Sequence, residues 1–143
     1  MLAKISLLIM RVGTGMLLVL WGSVRLFGDG MGTKLAEKYY GGVGAANSFQ
    51  LGFATVEVII GLLVVLGLFR KYASIGAALI LVGGAFPIWR HFLDPFGRYL
   101  FANPEDANLL FFPSVTVAGA ALALIAFREH DTWALDTVFR RKD

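Results

Sequence analysis

The stretch ATVEVIIGLLVVLGLF, residues 54–69, is too apolar to be anything but a membrane span, yet it carries one ionisable side chain, Glu57. Hydrocarbon offers no water to backbone N–H and C=O groups, so only helices and closed barrels cross a bilayer. A helix needs about 20 mostly apolar residues to do so. Four segments qualify or nearly do, at about residues 5–27, 49–69, 72–89 and 109–127. None alternates apolar and polar residues as a barrel strand would. These runs predict an all-α, integral membrane four-helix bundle, a single domain over residues 1–143. Only Arg70 and Lys71 separate the second and third segments, which must therefore form an antiparallel hairpin.

Composition agrees with that reading and narrows it. Of the 143 residues, 57% are hydrophobic, against about 45–50% in soluble domains. There is no cysteine, which excludes a disulfide framework, CxxC redox chemistry and thiolate metal sites. The net charge of +3 comes from basic residues at span ends and in the tail, a mark of topology rather than of nucleic-acid binding. Lys4 before an apolar run mimics a signal peptide. The run is long, however, Arg11 interrupts it and no small-residue cleavage site follows, so an uncleaved first helix is expected.

One side of the predicted bundle holds Lys4, Arg70, Lys71, Arg128, Arg140, Arg141 and Lys142. The other holds Lys34, Lys38 and Arg98, with Arg25 and Arg90 at helix ends, and five acids: Asp29, Glu37, Asp94, Glu105 and Asp106. The positive-inside rule then gives an N-in/C-in topology, both termini cytoplasmic, with the first and third loops facing outward. Loop 1, residues 28–48, is glycine-rich and ends YYGGVGAANS. Loop 3, residues 91–108, is too apolar for a solvated linker, with Phe92, Leu93, Phe96, Tyr99, Leu100 and Phe101. It reads as an interfacial aromatic segment or as a docking surface for a partner subunit. The basic, amphipathic tail REHDTWALDTVFRRKD is expected to rest on the anionic inner leaflet.

Helical spacing puts Arg11, Gly15, Leu18, Gly22 and Arg25 on one face, and Gln50, Ala54, Glu57 and Gly61 on another. Gly76, Ile80, Gly83, Pro87 and Arg90 share a face of the third span, and Ser114, Ala118 and Ala121 a face of the fourth. Small residues let helix backbones approach closely in lipid, so these faces are expected inside the bundle. Arg25, Glu57 and Arg90 then converge on its outer half, Glu57 about 10 Å below the surface at 1.5 Å per residue. A buried Arg25–Glu57 pair that only fixes packing is one reading. The other counts two arginines against one glutamate, a net positive site for an anionic or carbonyl-bearing ligand. Trp21, Trp89, Tyr39 and Tyr40 would add aromatic walls. A quinone headgroup or a lipid phosphate would suit it. His91 and His130, the two histidines, fall on opposite sides of the membrane and cannot share a haem or a metal. No Walker, HExxH, GxSxG or GxGxxG motif is present.

Three stretches carry a family pattern. RVGTGMLLVLWGSVRLFG has an Arg…Gly…Gly followed by Arg25 where a lysine is usual, VEVIIGLLVVLGLFRKYAS has Glu-x-x-x-Gly and then Leu-Gly-Leu-x-x-Arg, and TWALDTVFRR has a closing Leu-Asp after Ala134. In order and spacing they resemble the DoxX family of small four-helix membrane proteins. The resemblance implies a prokaryotic inner-membrane protein, similar to the membrane subunit of a thiosulfate:quinone oxidoreductase. Relatives that handle disulfides need cysteine pairs, which this chain lacks. The expected function is a membrane subunit of an oxidoreductase assembly, at most a quinone-interacting one. Glu57 would accept or donate a proton, and Arg25, Arg90, Trp21, Trp89 and His91 would hold the ligand. The chain shows no electron carrier of its own, so a partner would bring flavin, haem or another centre. The rival is a structural accessory subunit that anchors a larger complex through loop 3 or its lipid-facing helices. Transport of a small solute is a third class.

Overall fold

A computed structural model describes residues 1–94, 96, 98–100 and 113–139. The chain runs as α1 (Leu2–Phe27), α2 (Met31–Tyr39), α3 (Asn47–Leu66), α4 (Arg70–Ala85), a 3-10 turn at Phe86–Ile88, α5 (Trp89–Leu93), α6 (Pro113–Ala126), a 3-10 turn at Arg128–His130 and α7 (Leu135–Phe139). Among the described residues there is no strand. Three helical stretches are long and apolar enough to cross a membrane: Leu2–Phe27, Asn47–Leu66 and Arg70–Leu93. α1, at 26 residues, is about 39 Å long at 1.5 Å per residue, more than the roughly 30 Å of a hydrocarbon core. α6 has 14 described residues; positions 109–112 of the expected fourth span lie outside them. Large side chains such as Ile9, Leu20, Ile59, Leu79 and Leu122 point outward, the arrangement expected where lipid is the solvent.

α1 and α3 are antiparallel and meet at backbone distance. A Cβ on Gly15 would lie 2.7 Å from the Gly61 carbonyl oxygen, and one on Gly61 would lie 2.7 Å from that of Gly15. Gly22 repeats the contact against the Ala54 carbonyl at 2.8 Å. The expected faces are therefore the real ones here: α1 buries Arg11, Gly15, Leu18 and Gly22, and α3 buries Gln50, Ala54, Glu57 and Gly61. Leu7, Leu18, Val64, Ala73, Ala77 and Leu124 form the apolar core where α4 and α6 close the bundle.

Elsewhere the structure corrects the sequence reading. α4 buries Ala73, Ser74, Ala77, Ala78 and Ala85, not the face of Gly83 and Arg90, which are exposed. Alanine permits the same close approach as glycine without glycine's entropic cost in a helix, and the alanine face won. Loop 1 holds a helix, α2, which starts after the left-handed Gly30 (φ 76°) and buries Gly32 and Ala36. Pro87, which lacks an N–H, interrupts the α4 hydrogen-bond ladder, yet the chain continues helically to Leu93. The buried Asp94 carboxylate then accepts the N–H groups of Arg98, Tyr99 and Leu100 at 3.1, 2.8 and 2.8 Å. Of the loop 3 aromatics, Phe96 and Tyr99 are exposed and stack edge to face, and Phe101 lies outside the described residues.

The tail, expected at the inner leaflet, is also tied to the bundle itself. Arg11, buried in α1, donates from Nη1 to Asp131 at 3.0 Å and from Nη2 to the Trp133 carbonyl at 2.8 Å. Arg70 donates to the carbonyls of Arg128 and Asp131. Asp136 accepts the N–H groups of Phe69 and Arg70 at 3.0 and 2.9 Å, and so caps α4 from a distant part of the chain. Gly67 (φ 68°) makes room for this, since a Cβ there would collide with the Arg11 guanidinium and, at 2.6 Å, with Ala134. One end of the bundle thus holds Met1, the α3–α4 turn and this segment; the opposite end holds α2 and α5.

Removing one member of a buried ion pair strands the other, at a cost of about 3–5 kcal/mol. Asp131→Ala should lower the unfolding temperature in detergent and speed tryptic cleavage at Arg128. Lys34→Ala, at an exposed position of α2 remote from the tail, should change neither. Equal melting of the two variants would show that the Arg11–Asp131 contact carries no stability.

Candidate functional site

At the loop end the four principal helices and α2 surround a cavity of about 760 Å³. α1 supplies Leu17, Trp21 and Arg25, and α3 supplies Phe49, Gln50, Phe53 and Glu57. Glu57 is 3% exposed. It sits there because the Gly22–Ala54 contact one turn away holds the two helices together, and Arg25 reaches it across the seam. The pair is hydrogen-bonded, with Arg25 Nη1 donating to Glu57 Oε2. The guanidinium lies over the rings of Trp21 and Phe53, 5.9 and 5.2 Å from their centroids, a position in which an aromatic face attracts a cation.

α2 and the turn after it form the outer wall. Tyr39 and Tyr40 line the cavity. The Tyr40 hydroxyl donates to the Gly84 carbonyl of α4 at 3.2 Å. Burial pushes the Tyr40 phenol above its ordinary pKa, with Arg25 pulling it down and Glu57 pushing it further up, so it remains a neutral donor. Gln50 donates from Nε2 to the Gly44 carbonyl at 2.7 Å, which fixes the amide orientation. Its Oε1 is buried against Gly32 with no hydrogen-bond partner among the described residues.

The six expected site residues separate into two groups. Arg25, Glu57 and Trp21 meet at the cavity. Arg90, Trp89 and His91 are not among its described lining residues. Arg90 lies over the Trp89 ring at 5.8 Å, and His91 meets Tyr39 edge to face at 6.0 Å, so it touches the cavity wall from outside. Among the described residues the cavity is therefore lined by one cation and one anion, already paired, and not by a net positive cluster. Phe49, Phe53 and Gln50 belong to the site but were not expected there. Phe53 and Gln50 are one and two turns from Glu57 on the same face, which was the available signal.

Glu57→Ala leaves the Arg25 guanidinium without its partner and should destabilise the protein in detergent by about 3–5 kcal/mol. Lys34→Ala, on the exposed side of α2, should change the melting temperature little.

No curated protein and no solved structure matches the chain. The family model named DoxX matches residues 6–89, more than half of the chain. The matched region contains Arg25, Glu57 and every described cavity residue except those of α6; the docked tail lies beyond it. The chain therefore belongs to the DoxX family, and with its long apolar helices it is a membrane protein.

Proposed function

We propose that this chain is a membrane subunit of an oxidoreductase assembly and that its cavity takes a quinone headgroup. The observation that carries this reading is an apolar-walled space of about 760 Å³ whose described charges are one closed Arg–Glu pair. Small-molecule pockets run to about 300–1,000 Å³, mostly apolar with a few placed polar groups. A phosphate would need a cation not already neutralised, so a neutral ligand is favoured. A flat ring could lie among Trp21, Phe53 and Tyr39, with a carbonyl accepting from the free N–H groups of Arg25.

Reduction of a quinone to a quinol takes two electrons and two protons. The electrons would come from a flavin or haem centre on a partner subunit. Glu57, when protonated, can pass one proton to a carbonyl oxygen, and Arg25 stabilises the carboxylate that remains. Water from the loop end supplies the second proton and reprotonates Glu57. The excess of basic residues at the opposite end supports a loop end that faces the outer leaflet of a prokaryotic inner membrane.

Orientation and ligand are tested separately. A single cysteine at Ser48 should react with an impermeant thiol reagent from outside the cell, and one at Thr137 should not; the reverse would invert the topology. For the ligand, the protein is purified in mild detergent and its bound quinone extracted. Arg25→Lys keeps the charge but loses the planar fork, and should lower retained quinone about tenfold, the equivalent of about 1.4 kcal/mol. If the unmodified protein retains no quinone and binds none when it is added, the structural-subunit reading takes its place.

A further inference from the structure

The α3–α4 hairpin is tight at one end and open at the other. Gly76 and Gly83 lie two turns apart on one side of α4. At Gly76 a Cβ would come within 3.0 Å of Ile60 in α3. At Gly83 a Cβ would meet nothing within 4 Å among the described residues. The close approach to α3 at Gly76 is thus not repeated at Gly83. Leu79, between them on the same side, lines the cavity and is also 70% exposed; Gly83 likewise lines it and is exposed. On α3 the cavity is lined by Phe53 and Phe49, stacked with ring centroids 6.0 Å apart, Phe49 being 56% exposed. The Tyr40–Gly84 hydrogen bond closes the gap toward the loop end.

The depth of this gap decides what can use it. Leu79 is nine residues beyond Arg70, about 14 Å along a helix at 1.5 Å per residue, in a helical stretch of 24 residues. The opening lies within the span, where its surroundings are acyl chains. We infer that the cavity opens sideways into the bilayer between α3 and α4, past Leu79 and Gly83, and that its ligand is an amphiphile whose hydrocarbon tail leaves through this gap. The polar head of that ligand rests on the reading given under Proposed function; the side opening does not. A tail threaded there stays in contact with lipid, and the head enters and leaves without crossing water. Gly83 is the position that keeps the passage clear.

The test uses the full chain in lipid nanodiscs and two probes, a decyl-substituted benzoquinone and the same headgroup without its tail. Gly83→Phe fills the gap from an exposed position; Gly119→Phe, at an exposed α6 glycine whose Cβ also meets nothing, is the control. Gly83→Phe should weaken binding of the tailed probe at least tenfold and leave the tailless one unchanged, while Gly119→Phe alters neither. Unchanged binding of the tailed probe to Gly83→Phe, or no gain from the tail in the unmodified protein, overturns the proposal. A second measurement is independent of the headgroup: photolysis of a phospholipid with a diazirine in its acyl chain, with adducts mapped by mass spectrometry. Adducts should form on the cavity residues Phe53 and Ile80 and be lost in Gly83→Phe. Their formation without binding of either quinone sustains the side opening and removes the quinone headgroup; their absence from the unmodified protein overturns the opening whatever the quinones do.

Discussion

Backbone contact between α1 and α3, Gly15 against Gly61, sets the positions of the two arginines that α1 turns inward, Arg11 and Arg25. Lipid supplies no hydrophobic drive for helices to associate, so close packing of backbones has to do it. A seam this tight tolerates no side chain at its centre and fixes the rotation of both helices. Arg11 and Arg25 flank the seam on the same helix. Each is delivered inward, and each needs an acid. Arg25 finds Glu57 in α3, whereas Arg11 finds Asp131, 120 residues away in the chain.

The two pairs have different surroundings. Arg11 is sealed by Gly67, Ala134 and the Trp133 carbonyl, so its environment is protein on every side that the contacts describe. Arg25 lies over two aromatic rings on the wall of an open space. Ion pairs taken out of water gain little net stability over apolar residues of the same shape. The inner pair is repaid by the docking of the tail, because Asp131 and Asp136 together tie that segment to α1 and to the start of α4. The pair beside the cavity has no such structural return beyond joining α1 to α3, which the glycine seam already does. That difference, more than the presence of charge, makes the Arg25–Glu57 pair the candidate site and the Arg11–Asp131 pair a fastening.

Much of this was legible in the residues, for identifiable reasons. The α1 and α3 faces were readable because small and charged residues recur at helical spacing with no competing stripe. α4 carries two stripes of small residues, one of glycine and one of alanine, and the period alone does not choose between them; the choice decided that Arg90 lies outside the cavity. α2 was hidden by the glycines around it, since Gly30, Gly41, Gly42 and Gly44 all take positive φ and only the residues between them are helical. The docked tail was hidden by distance. Its acids read as the polar side of a surface helix, and nothing local reveals that Asp136 caps a helix that begins at Arg70. Glu57 stood out because a lone carboxylate in an apolar run has few bland explanations.

The cavity itself follows from how the hairpin is built. At the tail end, the left-handed Gly67 and Phe69 turn the chain within three residues, and Asp136 holds that turn closed by accepting two of its N–H groups. At the loop end α3 follows α1, to which the glycine seam binds it, while α4 follows the alanine face toward α6. The two helices touch at Gly76 and Ile60, while each also packs against a different neighbour. α2 enters where they separate, and Tyr40 spans the remaining distance to Gly84. A cavity in a bundle of small residues is therefore not a packing fault. It accompanies a hairpin whose two helices each pack against a different partner, and Glu57 and Arg25 meet on its wall.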